Sequence, residues 1–433
     1  MERRAGEWIW RAMSRDWESV GRYAPERWRS FAGMSAVRVL SRAVGGLLLS
    51  AILGSCASID RLPAVPLALA SEIKPLDIPY GRFYADGNAA DFRALAYEVI
   101  AKANANRKAA GIKPEKAPPT AFLAISGGGD DGAYGAGLLV GWTARGDRPQ
   151  FAVVTGISTG ALSAPFAFLG PEYDDRLKGV YTETSADDIF SKEPILGLIS
   201  GDAITDSTPL KNLIARYVDQ EMIRRIAQEY EKGRLLLIAT TNLDQARSVI
   251  WNIGAIATST DPRARELIIE VLRASASIPG AFPPVMLDVT VAGKRYEEMH
   301  VDGGAMAQVF LYPPQLRLKS VEGLRPNHKD IAYVIRNGRL FRPEETVKRQ
   351  TLAIAGQAIA TMTAANGVND LYRIYLTAQR DGIDYNLVYL DDQFDVPYKG
   401  PFDKTYMNTL FEFGYRKGLD GIEWHKAPPG YEE

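Results

Sequence analysis

Two apolar runs, Thr120 to Ile125 and Phe151 to Thr155, pass straight into glycine turns, and no other feature narrows the possible fold as much. Arg234 to Thr241 and Ile331 to Ile335 are similar runs, with helical stretches between them. Strands that are apolar on both sides need cover on both sides, so the pattern predicts an α/β domain. Near Val285 to Val301, two alternating runs flank Ala292-Gly293, the signature of a hairpin. A long helical stretch from about Glu344 to Gln379 precedes a last strand at Tyr385 to Leu390. Internal repeats and low-complexity tracts are absent.

The N-terminal part reads differently. Residues 1–33 are rich in Trp and Arg and fit no signal peptide, so translation is expected to start at Met34. Met34 to Arg42 is a basic lead, Ala43 to Leu53 is apolar, and Leu53-Gly54-Ser55-Cys56 has the shape of a lipobox. An apolar run of about a dozen residues is too short to span a bilayer, so residues 34–56 are expected to be a lipoprotein signal peptide with Cys56 lipidated. That places the protein in a bacterial cell envelope, lipid-anchored on the outer membrane or the periplasmic face. Cys56 is the only cysteine, which rules out an intramolecular disulfide. Residues 57–117 are expected to form a tether, broken by Pro63, Pro66, Pro75 and Pro79, then an accessory helix over Ala89 to Ala110. Residues 118–433 form the main domain. The net charge of −1 gives no basic excess for nucleic-acid binding.

Three motifs carry chemistry. Gly156-Ile157-Ser158-Thr159-Gly160 follows a strand and precedes an apolar helix, the setting of a nucleophile elbow. A serine hydroxyl is a poor nucleophile until a neighbour takes its proton. Asp302-Gly303-Gly304 offers a carboxylate for that task. Gly127-Gly128-Gly129-Asp130-Asp131-Gly132 offers backbone N–H groups to an oxyanion, and it lacks the Lys of a nucleotide loop. The histidines are His300, His328 and His425. Of these, His425 permits an alternative triad, Ser158/Asp302/His425, in α/β-hydrolase order.

With the block Ala274 to Pro284, these motifs resemble the patatin-like phospholipase family from Pro118 to Pro313. The resemblance implies a three-layer sandwich, with a mostly parallel central sheet and helices on both faces. It implies hydrolysis of a phospholipid or lysolipid acyl ester by Ser158 with Asp302. Oxyanion donors would come from Gly127, Gly128 and Gly129, while Gly132, Gly156, Gly160, Gly303 and Gly304 shape the turns. No metal or cofactor is implied, and no protein partner; the expected partner is a lipid substrate at a membrane surface. One position departs from the pattern: Asp131, beside Asp130, stands where the family commonly has Arg or Lys. Two acids facing the site would repel a phosphate. They also leave room for a catalytically silent lipid- or partner-binding lipoprotein.

Overall fold

The computed structural model describes residues 61–113, 116, 118–191, 205–321, 330–341 and 346–431. Residues 1–33, the 34–56 segment with Cys56, and His328 lie outside them. Among the described residues, nine strands form one sheet: β1 Arg82–Tyr84, β2 Ala121–Ile125, β3 Val153–Gly156, β4 Leu235–Asn242, β5 Arg247–Asn252, β6 Val285–Val291, β7 Lys294–Asp302, β8 Ile331–Arg336 and β9 Asp384–Tyr389. The helices are α1 Ala89–Ala109, α2 Gly132–Arg145, α3 Thr159–Leu169, α4 Asp174–Thr182, α5 Ala186–Ile189, α6 Thr208–Tyr217, α7 Gln220–Glu231, α8 Ile253–Ala257, α9 Ala264–Ser275, α10 Thr351–Asp381 and α11 Lys404–Asp420.

The strand order is β1-β5-β4-β3-β2-β8-β9. From β4 to β9 all pairs are parallel. The predicted sheet is therefore present, and its apolar strands are explained by cover on both faces. Phe122 and Ala124 point to the face held by α1 and α10. Leu123 and Ile125 point to the other, held by helices that include α2, α3 and α11. The hairpin β6–β7 turns at Ala292 and Gly293, both at positive φ (49° and 76°), as a two-residue primed turn requires.

Residues 61–84 correct the expectation of a tether. Arg61 pairs with Asp244 at 2.7 Å, and Val65 and Ile73 pack with Val291 and Tyr296 of the hairpin. Arg82, in β1, is buried against Glu298 of β7 at 2.5 Å. The prolines exclude a regular helix but not short turns followed by an edge strand, and the hairpin supplies an apolar face to cover.

The buried helix α2 and the half-exposed helix α11 that packs on it escape sequence reading because glycines interrupt them. A Cβ on Gly137 or Gly141 of α2 would stand 2.0 Å from the carbonyl oxygen of Phe411 or Tyr415 in α11. Reciprocally, Gly414 and Gly418 of α11 lie against the carbonyls of Tyr134 and Leu138. Glycine here allows backbone-to-backbone contact between helices, which outweighs its poor helix propensity.

Candidate active site

The register of β4 brings the two central motifs together. Strand β3 runs parallel to β4 and ends with Gly156 opposite Ile238. Strand β7 comes from the other direction along the same edge and ends with Asp302 opposite Thr240. The strand ends thus meet head to head, and the chain after Gly156 carries Ser158 into the gap.

Ser158 sits at φ 56° and ψ −127°, a conformation that strains any non-glycine residue by about 1–3 kcal/mol. The flanking glycines act through space. A Cβ on Gly156 would stand 2.4 Å from the Gly160 carbonyl oxygen, and one on Gly160 would stand 2.3 Å from that of Ile125. Close packing between turn and strand, with the strain carried by Ser158 itself, makes the elbow.

Asp302 is buried, at 4% exposure. Its Oδ1 accepts the Gly304 N–H at 2.7 Å. The Ser158 hydroxyl lies close enough to lower the carboxyl pKa, yet Oδ2 makes no hydrogen bond of normal geometry. Burial outweighs both stabilising neighbours and raises the pKa from 3.8 to about 7. The carboxylate is therefore a much stronger base than an exposed aspartate.

The Ala274–Pro284 block grips both residues. Ser275 Oγ accepts the Ser158 N–H at 3.1 Å and donates to the Ala239 carbonyl at 2.7 Å. The Ser277 carbonyl accepts the Asp302 N–H at 2.8 Å.

The glycine loop lies beside the elbow, where a Cβ on Gly127 would stand 3.2 Å from Ser158 Cβ. It narrows the expected donor set. The Gly127 N–H is already donated to the Gln308 carbonyl at 2.9 Å, so Gly127 has no amide hydrogen left for a ligand. No hydrogen bond to a described residue occupies the N–H groups of Gly128 and Gly129. Ser126 Oγ donates to the Gly127 carbonyl at 2.7 Å and accepts from Asn337 N–H at 2.8 Å. Arg336 Nη1, buried and without an ion pair among the described residues, is 3.5 Å from the same Oγ. Together these groups polarise the peptide whose other end is the Gly128 N–H. At the end of the loop, Gly132 packs against Thr159 and Tyr181.

Asp130 and Asp131 do not stand as free charges in the site. Asp130 accepts the Phe402 N–H at 3.0 Å and Asp131 accepts the Tyr406 hydroxyl at 2.8 Å. Burial pushes Asp131 up to about 6, against the pull of Tyr406, Arg336 and Arg339. The acids bind the loop to Phe402 and to Tyr406 of α11, so they hold the loop in place.

Sequence reading missed Gln308. Its carbonyl holds Gly127, its Nε2 donates to the Gly304 carbonyl at 3.0 Å, and its N–H donates to buried Asp370 of α10 at 2.6 Å. It thus links the glycine loop to the Asp302 turn. No local pattern marks such a residue.

Of the histidines, His300 and His425 lie among the described residues. His300 is fully buried, bonded to Thr240 at 2.9 Å and near Glu298, and burial lowers its pKa. His425 pairs with Leu387 on the outer edge of β9. Three strand spacings separate β9 from β3, and His425 lies one further out, about 19 Å from the elbow's lane. The Ser158/Asp302/His425 triad is therefore corrected: the third member is out of reach.

Residues 123–313 match the family model of the patatin-like phospholipases. This stretch is a patatin-like phospholipase domain. Among solved structures, the chain resembles VipD from Legionella pneumophila at 13% identity and a TM-score of 0.36, covering 70% of this chain and 67% of that one. It resembles the type III effector protein ExoU at 11% identity and a TM-score of 0.28, covering 71% of this chain and 54% of that one, about half its length. A search of curated proteins gave no match. The patatin-like segment holds the elbow, Asp302, Ser275 and Gln308, while Arg336, Asn337, Asp370, Phe402 and Tyr406 come from the chain beyond it.

Proposed function

We propose that this protein is a serine lipid acyl hydrolase of phospholipase A type, with Ser158 as nucleophile and Asp302 as base. The observation that carries the reading is the pairing of a strained, buried serine with a buried carboxylate whose Oδ2 is left without a normal hydrogen bond. Ser158 Oγ attacks the ester carbonyl carbon, and its proton passes to Asp302. The Gly128 and Gly129 amides receive the oxyanion. The intermediate collapses, the alcohol leaves with the proton from Asp302, and an acyl-serine remains. Water then attacks the acyl-serine, giving its proton to Asp302; the bond to Ser158 Oγ breaks, Oγ takes that proton back, and the fatty acid leaves. The lipid anchor at Cys56 rests on the lipobox alone and would hold the hydrolase at its substrate's surface.

The test is labelling with a fluorophosphonate. Wild type should label, and Ser158→Ala and Asp302→Ala should not. A folded wild type that never labels would put the silent lipoprotein first. His425→Ala should label within about twofold of wild type, whereas a triad histidine would cost several decades. Because Asp302 must be ionised, kcat/KM on a neutral soluble ester should rise with pH through about 7 and level off above it. A flat profile from pH 5 to 9 would contradict Asp302 as the base.

A further inference from the structure

We infer that the outer half of α10, together with an apolar rim around the elbow, is the surface on which this protein meets lipid. The inference rests on the lipid-hydrolase reading and names where its substrate surface docks.

The direction of α10 is fixed by its contacts. Gly367 packs on the Arg336 guanidinium at the C-terminal end of β8. Leu371, Ile374 and Ala378 cover the sheet, and Ile383, just past the helix, leads into the start of β9. Residues 351–366 therefore extend beyond the C-terminal ends of the parallel strands, the end where Ser158 sits. Sixteen residues of helix reach about 24 Å.

This overhang has an unusual surface. No described residue from Thr351 to Asn366 is buried, and no charged residue occurs from Gln350 to Asn369. Ile354, Ile359 and Met362 are 54%, 53% and 66% exposed. A helix projecting into water is normally laced with charges and i,i+4 ion pairs; this one has neither. Lys348 and Arg349 precede it, a complement to anionic head groups at the surface.

The rim joins it to the site. Ile278, 39% exposed, follows the Ser277 that holds the Asp302 N–H. Met306, 45% exposed, is two residues past Gly304, and Tyr398, 55% exposed, interacts with Asp130 of the glycine loop. A protein seated across this surface would close the site, whereas a lipid surface would deliver substrate to it.

Cys56 is the only cysteine, so full-length protein carrying Cys56→Ser accepts a single labelled cysteine elsewhere. In a Ser158→Ala background, bimane at Met362→Cys should shift to the blue on phosphatidylcholine/phosphatidylglycerol vesicles and be quenched by brominated lipid. Bimane at Leu419→Cys, at the far end of α11, should do neither. In the active protein, Ile354→Gln/Ile359→Gln/Met362→Gln should cut hydrolysis of vesicle lipid by about 100-fold, with a soluble butyrate ester cleaved within about twofold of wild type. A Met362 probe that stays in water on vesicle-bound protein overturns the inference. So does a shift that depends on protein concentration without vesicles, which would mark a second copy as the occupant. Vesicle insertion by a wild type that cleaves no ester would uphold the docking surface and reject the hydrolase.

Discussion

Asp302→Asn should abolish activity, by about four decades or more, and at the same time make the protein more stable. The two effects have one cause. In the fold the carboxyl group has a pKa of about 7 against an ordinary value of 3.8. Between those values the folded chain holds a proton that the unfolded chain has released. Stability due to this group is therefore intact below about pH 4 and declines as pH rises to about 7, by roughly 4 kcal/mol in all. Asparagine can still accept the Gly304 N–H and never ionises. The Tm difference between Asp302→Asn and wild type should be near zero at pH 4, grow to several degrees by pH 7, and stay level at pH 8. Differential scanning calorimetry across that range checks it. An equal difference at pH 4 and pH 8 would mean that the carboxylate is not under this strain.

Gly128→Ala should be the most damaging change outside the Ser–Asp pair. A Cβ there would lie 2.2 Å from the Asn337 carbonyl oxygen and 2.9 Å from Asn337 Cβ. Asn337 cannot withdraw, because its side chain donates to the Ser126 carbonyl at 2.9 Å and accepts the Gly135 N–H at 3.1 Å. The loop must move instead, and with it the amides of Gly128 and Gly129. Displacing such a donor costs about 100- to 1,000-fold in rate, and the melting temperature should fall as well. Gly129→Ala is the control. It has open space around it but a φ of 61°, so it should lose about 1–2 kcal/mol of stability and less than tenfold in rate. Fluorophosphonate labelling rates with thermal melts read both. Equal loss in the two variants would show that loop strain, rather than the Asn337 contact, governs the site.

The parts that sequence made legible are those carried by local pattern. The apolar strands, the hairpin turn and accessory helix α1 all fall within a few residues of where periodicity and turn chemistry place them. Ser158 and Asp302 were marked by their glycines. What escaped was carried by distance. Strands β1 and β5 carry polar and charged residues such as Arg82 and Arg247, whose partners, Glu298 and Asp86, lie far along the chain. Gln308 and Asn337 look like ordinary loop residues until the fold sets them against glycines far back along the chain, Gly127 and Gly128. The Gly127 amide was counted as a donor because sequence cannot reveal that a carbonyl already holds it. The paired acids of the glycine loop misled for a similar reason, since their partners Phe402 and Tyr406 are invisible from residue 130.

The interlocked glycines of α2 and α11 limit how this protein can be divided. The recognisable segment stops at residue 313, but the helix that begins at the end of its glycine loop has its glycine-matched partner, α11, outside it. A gene fragment ending there would expose the backbone groove along α2 and leave the loop without Asn337, Phe402 and Tyr406. Recombination that moves the nucleophile to a new setting must therefore carry the last hundred residues with it. The same surface offers a practical opening. Split after residue 313 and co-expressed, the two pieces would have a groove shaped for each other, and restored labelling of Ser158 would report their reunion.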